Sequence, residues 1–532
     1  MNGYLIALIV FLAYFGIVYV LYKTKWLERH SMSLMGPMIM WRTRRGRDFI
    51  ERLSARKRLW DFYGRVALWI CAASMVIIMV LLLWEATIVP QVERAPSPEL
   101  ILGIPGINPV IPLGYGVLAL VIAIVVHEVS HGILTRVGGM KVQNLGLVFM
   151  VVPVGAFVEP DEKELQAATR SKRSKVFAAG PASNIVLAMV MLALFSGVMM
   201  SSVEPTHEGA LAVGVVEDSP ADLAGLAPTS VVVSVGGTQI GSAADMESRS
   251  SPSPGSSVDV QYYFKGQLSS ASVVDGVVVA YVASGYAADD AGLDTGMVIV
   301  SLNGTALDNS SKLSDVMALT HAGQTVSVTA MSYDASSSSF VVNTSMTHIT
   351  LSDKWDYYDE FDSKNNDPAY HGVGYLGAGF LYLGIRAEEV SYYSGVLSSP
   401  FEGDANIDDF SRSWLRLIAL PFLDLAPIRS PVTDLYHPSG GLAWMPDSAF
   451  WILANSLYWI FWLNLMVGLT NVLPAVPLDG GYIFRDGVDY LLDKTGRKHS
   501  KEQREKLVGT ITLVLALTVL SLIVWQLVGP AF

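Results

Sequence analysis

Residues 117–135 read Val-Leu-Ala-Leu-Val-Ile-Ala-Ile-Val-Val-His-Glu-Val-Ser-His-Gly-Ile-Leu-Thr. The stretch is an apolar helix long enough to enter a bilayer, and it carries His127, Glu128 and His131. Positions i and i+4 lie one above the other on a helix, so the two imidazoles can serve one metal ion. Glu128 follows the first of them and can reach a water held there. This is the H-E-x-x-H zinc pattern, with the acid as general base. Ionisable groups at membrane depth cost about 2.5–3.5 kcal/mol each on insertion scales, so an apolar helix that keeps three has a use for them.

Composition agrees with a membrane setting. The chain has 532 residues, of which 51% are hydrophobic and 16% charged, with a mean hydropathy of +0.41. Such a balance implies several spans. The net charge of −12 is segregated along the chain and identifies no partner. Cys71, the single cysteine, excludes an intrachain disulfide and fits a packing role in its apolar run. No basic, aromatic-interleaved patch points to nucleic acid.

Hydropathy places spans at 4–22, 66–89, 117–135, 176–200, 449–470 and 507–527. The basic stretch Lys23–Arg65 puts that loop in the cytoplasm by the positive-inside rule. Lys163–Lys175 and 485–506 fall on the same side, and the proline-rich loop 90–112 lies outside. Six spans then close with both termini outside. Residues 142–158, rich in β-branched and aromatic types with Gly and Pro interruptions, read as extended chain or a hairpin at membrane depth, which needs protein cover. Residues 414–428, broken by Pro421, Asp424 and Pro427, read as an interfacial or re-entrant helix, with Tyr392, Tyr393, Trp414 and Trp444 as an interface belt.

Residues 201–410 change character, to Ser, Thr, Gly, Asp and Val with short strand-like runs. They contain an internal repeat. Ala221-Asp222-Leu223-Ala224-Gly225-Leu226 returns as Ala288-Asp289-Asp290-Ala291-Gly292-Leu293, and Val233-Ser234-Val235-Gly236-Gly237-Thr238 as Val300-Ser301-Leu302-Asn303-Gly304-Thr305. Each copy resembles the PDZ fold of membrane and periplasmic proteases, whose open sheet edge takes up a peptide as an extra strand. In the first copy Ala227-Pro228-Thr229-Ser230 replaces the usual Gly-Asp turn. The chain thus divides into a two-span region (1–112), the first half of a membrane core (113–204), PDZ-like domains at 205–270 and 271–350, an external and interfacial linker (351–448), and the second half of the core (449–532). The expected fold is a polytopic α-helical membrane protein of about six spans, with a membrane-associated β segment and an external α+β insertion of two PDZ-like domains.

Catalytic zinc takes three protein ligands and an open position. Asp479, at the end of an inward span, fits the depth of His127; Asp424, Glu159 and Asp161 are the rivals. Three ordered motifs then carry a resemblance. They are H-E-x-x-H at 127–131, Gly180-Pro181-x-x-Asn184, and Asn471-x-x-Pro474-x-x-Pro477-Leu478-Asp479-Gly480. Together they resemble the site-2 protease family of intramembrane zinc metalloproteases, and Gly155–Glu162 is similar too. The resemblance implies one catalytic zinc held by His127, His131 and Asp479, Glu128 as general base and later acid, and Asn184 and Asn471 near substrate or oxyanion. It implies an endopeptidase cutting in or near a transmembrane segment of membrane-protein substrates, and the alternation of spans makes this a multi-pass cell-membrane protein with its active site toward the cytoplasm and its PDZ-like domains outside. The substrate helix must unwind before attack, and segment 142–158 can hold the unwound strand by edge pairing. The alternatives are a catalytically silent scaffold binding peptides through its PDZ-like domains, and an ion transporter using the buried ionisable set.

Overall fold

The structure is a computed structural model that describes residues 3–30, 32–36, 38–43, 47–91, 97–101, 103–150, 152–249, 253–343, 348–399, 414–495 and 500–531. Parts of the expected basic loop (44–46 and 496–499), outer loop (92–96) and linker (400–413) lie outside the described residues. The chain forms two compact units. One comprises 1–198, 418–427 and 452–532; the other comprises 199–417 and 428–451.

The first unit is helical, with one small sheet. Helix α1 covers Gly3–Lys23. Strands β1 (Met32–Met35) and β2 (Met38–Thr43) lead to α2 (Arg47–Ser54) and α3 (Lys57–Ile88). Helix α4 (Leu113–Val137) is followed by β3 (Val142–Met150), β4 (Val152–Pro160) and α5 (Arg170–Leu194). Five helices among the described residues are long and apolar enough to cross a membrane: Lys57–Gln91, Leu113–Val137, Arg170–Ser202, Asp447–Asn471 and Glu502–Val528.

Small residues let these helices approach. Ala67, Cys71, Ala178, Ala182 and Val472 form one buried cluster, and the Cys71 thiol donates to the Ala178 carbonyl. Residues 142–158 do form a hairpin, β3 against β4. It is half of a four-stranded antiparallel sheet, β1-β2-β3-β4, because the basic loop supplies two more strands. That loop hides two short apolar runs, Met32-Ser33-Leu34-Met35 and Met38-Ile39-Met40-Trp41, and β2 pairs with β3 from Ile39 opposite Phe149 to Thr43 opposite Leu145. Strand β4 is left at the edge. Residues 414–428 are helical only over 414–419.

The second unit contains two sheets of like order. In the first, β5 (Ala210–Val215), β6 (Val231–Val235), β7 (Ser257–Phe264) and β8 (Gln267–Val274) are joined by a helix, α6 (Ala243–Ser248). In the second, β9 (Val277–Val282), β10 (Val298–Leu302), α7 (Ser310–Met317), β11 (Val328–Asp334) and β12 (Ser339–Asn343) repeat the plan. The stretch expected as linker then supplies α8 (Lys354–Phe361) and two further strands, β13 (Ala378–Tyr382) and β14 (Ile385–Glu389). Strand β13 completes the second sheet, β12-β11-β10-β9-β13, and β14 returns to complete the first, β8-β7-β6-β5-β14. The second copy is therefore inserted within the first, and the boundary at 350 cuts both sheets short. The repeat holds in backbone detail. Val216 N–H donates to the Gly384 carbonyl as Ala283 N–H does to that of Gly377. Thr229 has φ +75 where the second copy has Gly296 at φ +88, so a β-branched residue bears a conformation that suits glycine.

Helix α9 (Asp447–Asn471) leads to α10 (Asp479–Lys494) and α11 (Lys501–Val528). A capping box, Ser500 with Gln503, starts α11.

Candidate metal centre

Helix α4 sets His127 and His131 one turn apart, and α10 begins with Asp479. These three residues converge. His127 Nε2 lies 3.2 Å from Asp479 Oδ2, His131 Nε2 lies 3.3 Å from the same oxygen, and the two nitrogens are 3.0 Å apart. The group is the one cluster of potential metal ligands among the described residues, and its side chains are only 10–15% exposed. The rivals lie elsewhere: Asp161 caps the helix Glu162–Ala167, and Glu159 accepts from Asn144.

The set fits a zinc ion. Two imidazole lone pairs and a carboxylate oxygen repel one another at this spacing unless a positive charge lies among them. Tetrahedral zinc with bonds of about 2.0–2.1 Å sets its ligand atoms about 3.4 Å apart. Helix α5 leaves room for it. A Cβ at Gly180 would sit 2.5 Å from His131 Nε2 and 2.6 Å from His127 Nε2, so the bare glycine keeps a cradle open against both nitrogens.

The imidazoles are held from behind. His131 Nδ1–H donates to the Val176 carbonyl at 2.7 Å, which fixes the tautomer that offers Nε2 forward. His127 Nδ1 meets the Asn184 amide at 3.3 Å. Asn184 is fully buried and its Oδ1 has no other partner among the described residues. Turned by half a rotation, that oxygen accepts from Nδ1–H and orients His127 in the same way. Asn184 therefore sits behind the His127 imidazole. Asn471 donates to the carbonyl of Val467, one turn back on its own helix.

Glu128 is half-buried on α4, and its Oε2 accepts from the Val158 N–H of edge strand β4 at 2.9 Å. Gly132 permits this approach: a Cβ there would meet Ile50 Cδ1 at 2.7 Å and Val158 Cγ1 at 3.1 Å. The Val158 amide, the Val176 carbonyl and the space at Gly180 are features of the candidate site that residue types alone do not reveal. Only the motif Gly180-Pro181-x-x-Asn184 pointed near them.

Comparison with known proteins follows the same lines. The model of peptidase family M50 matches residues 115–519, which include all three ligand candidates and Glu128. An uncharacterized protein of Methanocaldococcus jannaschii is 32% identical over 162 residues, which is 29% of this chain and 42% of that protein. The chain thus spans well under two thirds of that relative's length.

Proposed function

The chain belongs to peptidase family M50, the site-2 protease family of membrane metalloproteases, and on that premise we propose that it is a zinc endopeptidase acting in or near a transmembrane segment of membrane-protein substrates. The observation that carries the reading is the meeting of His127, His131 and Asp479, from parts of the chain some 350 residues apart, within 3.3 Å of one another. When bound there, zinc supplies a Lewis acid that acidifies water and polarises a carbonyl.

The protein's own groups do the rest. Glu128 keeps one carboxylate oxygen on the Val158 amide and has the second for a proton, taken from water and passed to the leaving amine. Val176 and Asn184 keep the imidazoles in one orientation. The hydrogen bond from Val158 N–H to Glu128 means that this amide points away from β3. By antiparallel alternation the Ala156 backbone faces the same way. An unwound substrate segment pairing with that edge would run alongside Glu128.

The finer assignments belong to the same proposal. They are six spans with α1 as the first, both termini outside, and an active site toward the cytoplasm. The two repeated sheets are PDZ-like, the first formed by 205–274 with β14 and the second by 277–382. Their edge strands β14 and β13, with α6 and α7, line a cavity of about 430 Å³ that includes Met246, Ser314, Phe380, Ile385 and Arg386. A cavity bordered by two open edges supports a role in sorting substrates by an extended segment outside the membrane.

The test compares wild type with Glu128→Gln for zinc content and for cleavage of a model transmembrane substrate. Zinc in both and cleavage by wild type alone supports the reading. Wild type that binds zinc but never cleaves would favour the scaffold, and wild type without zinc would remove the metal centre.

A further inference from the structure

Helices α5 and α10 run antiparallel, and their side chains meet turn by turn. At one end, Gly180 of α5 and Asp479 of α10 approach the same two imidazoles. One turn on, Phe177 stacks on Tyr482 with ring centroids 4.6 Å apart and planes 12° apart. Next, Arg173 grips Asp486 with Nε at 3.0 Å from one oxygen and a terminal nitrogen on the other, while the Ser174 hydroxyl donates to the same carboxylate at 3.0 Å. Last, Arg170 pairs with Asp489 at 2.7 Å and with Asp493, and Arg504 of α11 binds both acids.

The rungs differ in burial. The Asp486 side chain is 7% exposed, whereas those of Asp489 and Asp493 are 25% and 45% exposed. A buried carboxylate with two guanidinium bonds and a hydroxyl is fixed in direction, and removing a partner leaves an uncompensated charge. Asp486 is seven residues beyond Asp479, two turns along the same face of α10. Whatever fixes Asp486 fixes the rotation of α10, and with it the direction in which Asp479 leaves the helix. That end also rests against the backbone of 472–476, since a Cβ at Gly480 would clash with the Val472 carbonyl and one at Gly481 with the Val476 nitrogen, so the Asp486 clamp acts together with this packing. The N-cap Leu478 adds no side-chain hydrogen bond.

We infer that the Arg173–Asp486 clamp is a positioning device for the metal centre: it sets the rotation of α10 so that Asp479 becomes the third ligand. This rests on the metal site proposed above. Val176 and Gly180 lie on the same helix as Arg173. A single element therefore orients His131, leaves space for the ion and aims the carboxylate that completes the set.

The experiment uses the full chain in detergent with cobalt(II) and zinc as probes. Metal affinity is read by chelator competition, and the cobalt visible spectrum reports the number and symmetry of ligands. Thermal unfolding and protease resistance report folding. Asp486→Ala should bind cobalt 10–100-fold more weakly, the range known for groups that orient metal ligands, with a changed cobalt spectrum. Asp486→Asn keeps the shape and some hydrogen bonds, so it should fold and fall between. The exchange Arg173→Asp with Asp486→Arg should recover affinity relative to either single variant, and Asp489→Asn on the exposed rung should change it little. A folded Asp486→Asn or Asp486→Ala with wild-type affinity and spectrum overturns the inference. If Asp486→Ala does not fold, Asp486→Asn decides alone. Wild type that binds neither metal defeats the metal site itself, which is a separate failure.

Discussion

Replacing Gly180 by alanine separates a metal cradle from a mere helix contact. Alanine is the better helix former by about 1 kcal/mol, so a glycine kept inside α5 only for chance reasons would gain stability on replacement. The structure sets a steric demand against that gain. The new methyl carbon would lie 2.5 Å from His131 Nε2, 2.6 Å from His127 Nε2 and 2.7 Å from His127 Cε1. Relief to ordinary contact needs a shift of about 0.8 Å, and overpacking of this kind costs about 1–3 kcal/mol. The imidazoles resist it, since one is tied to the Val176 carbonyl and the other backs on Asn184. Metal–ligand distances tolerate only about 0.2 Å, so the shift is several times what the site allows. The expected result is a folded protein whose stability changes by about 0–2 kcal/mol and whose zinc affinity falls at least about 100-fold, equivalent to roughly 2.8 kcal/mol. Zinc per chain, chelator competition and thermal unfolding measure the two effects separately. Gly487→Ala is the control, because nothing lies within 4 Å of a Cβ at that helical position and the gain in propensity should appear unopposed. Wild-type zinc affinity and cleavage in Gly180→Ala would refute the reasoning.

Other perturbations follow from the same geometry. Gly132→Ala should press on Ile50 and Val158 and loosen the hold of β4 on Glu128, lowering kcat about 10-fold with zinc content unchanged. Ala156→Pro removes an outward N–H from an edge strand, where proline is tolerated; cleavage should drop about 10-fold or more while zinc stays bound, and unaltered cleavage would remove edge pairing from the mechanism. Thr229→Gly should relieve the left-handed backbone and stabilise the first sheet by about 1 kcal/mol, seen as slower proteolysis of that region. Asp493 is held down to about 2 by hydrogen bonds from Arg504 and then Arg170. A carboxylate with a depressed pKa contributes stability above its unfolded value of about 3.9 and loses it as pH falls through the folded value. Hydrogen exchange at the end of α10 should therefore stay slow at pH 4 and quicken toward pH 2, and Asp493→Asn should remove that dependence.

Much of the candidate metal centre was legible because its signals are local. His127, Glu128 and His131 lie within one turn and a half, and Asp479 stands in a motif of its own. The hairpin at 142–158 declared itself by β-branched residues too interrupted for a span. The pairing of β2 with β3 was hidden, since Met38–Trp41 sits among arginines and a strand of six residues has no periodic signal that outweighs that charge. Strands β13 and β14 were missed for a related reason. Each has five residues, and each partner strand lies about 100 or more residues upstream, so only long-range pairing defines them. One trace did exist: Tyr375-Leu376-Gly377-Ala378 and Tyr382-Leu383-Gly384-Ile385 are near copies, each placed just before or at the start of a completing strand. On α10 the arginines and lysines of 485–506 drew attention to a basic segment. The acids at 486, 489 and 493 were the informative residues, and their value depends on guanidiniums more than 300 positions away.

The ionisable groups that would burden each helix alone become the ties between helices. At about 2.5–3.5 kcal/mol each, His127, Glu128 and His131 would put an isolated α4 at a disadvantage of several kcal/mol in a bilayer. In the folded protein every one of them meets a group from another element: Asn184 and Val176 on α5, Val158 on β4, and Asp479 on α10. Arg173 and Asp486 repeat the pattern one layer away. None of these pairs is satisfied within its own helix, so assembly recovers a cost that insertion incurs. The same dependence makes the centre sensitive to the packing of α4, α5 and α10. A change that separates any two of them by an ångström leaves a buried charge without its partner and spoils the ligand set together, which is why metal affinity, more than thermal stability, is the quantity that should register damage to this core.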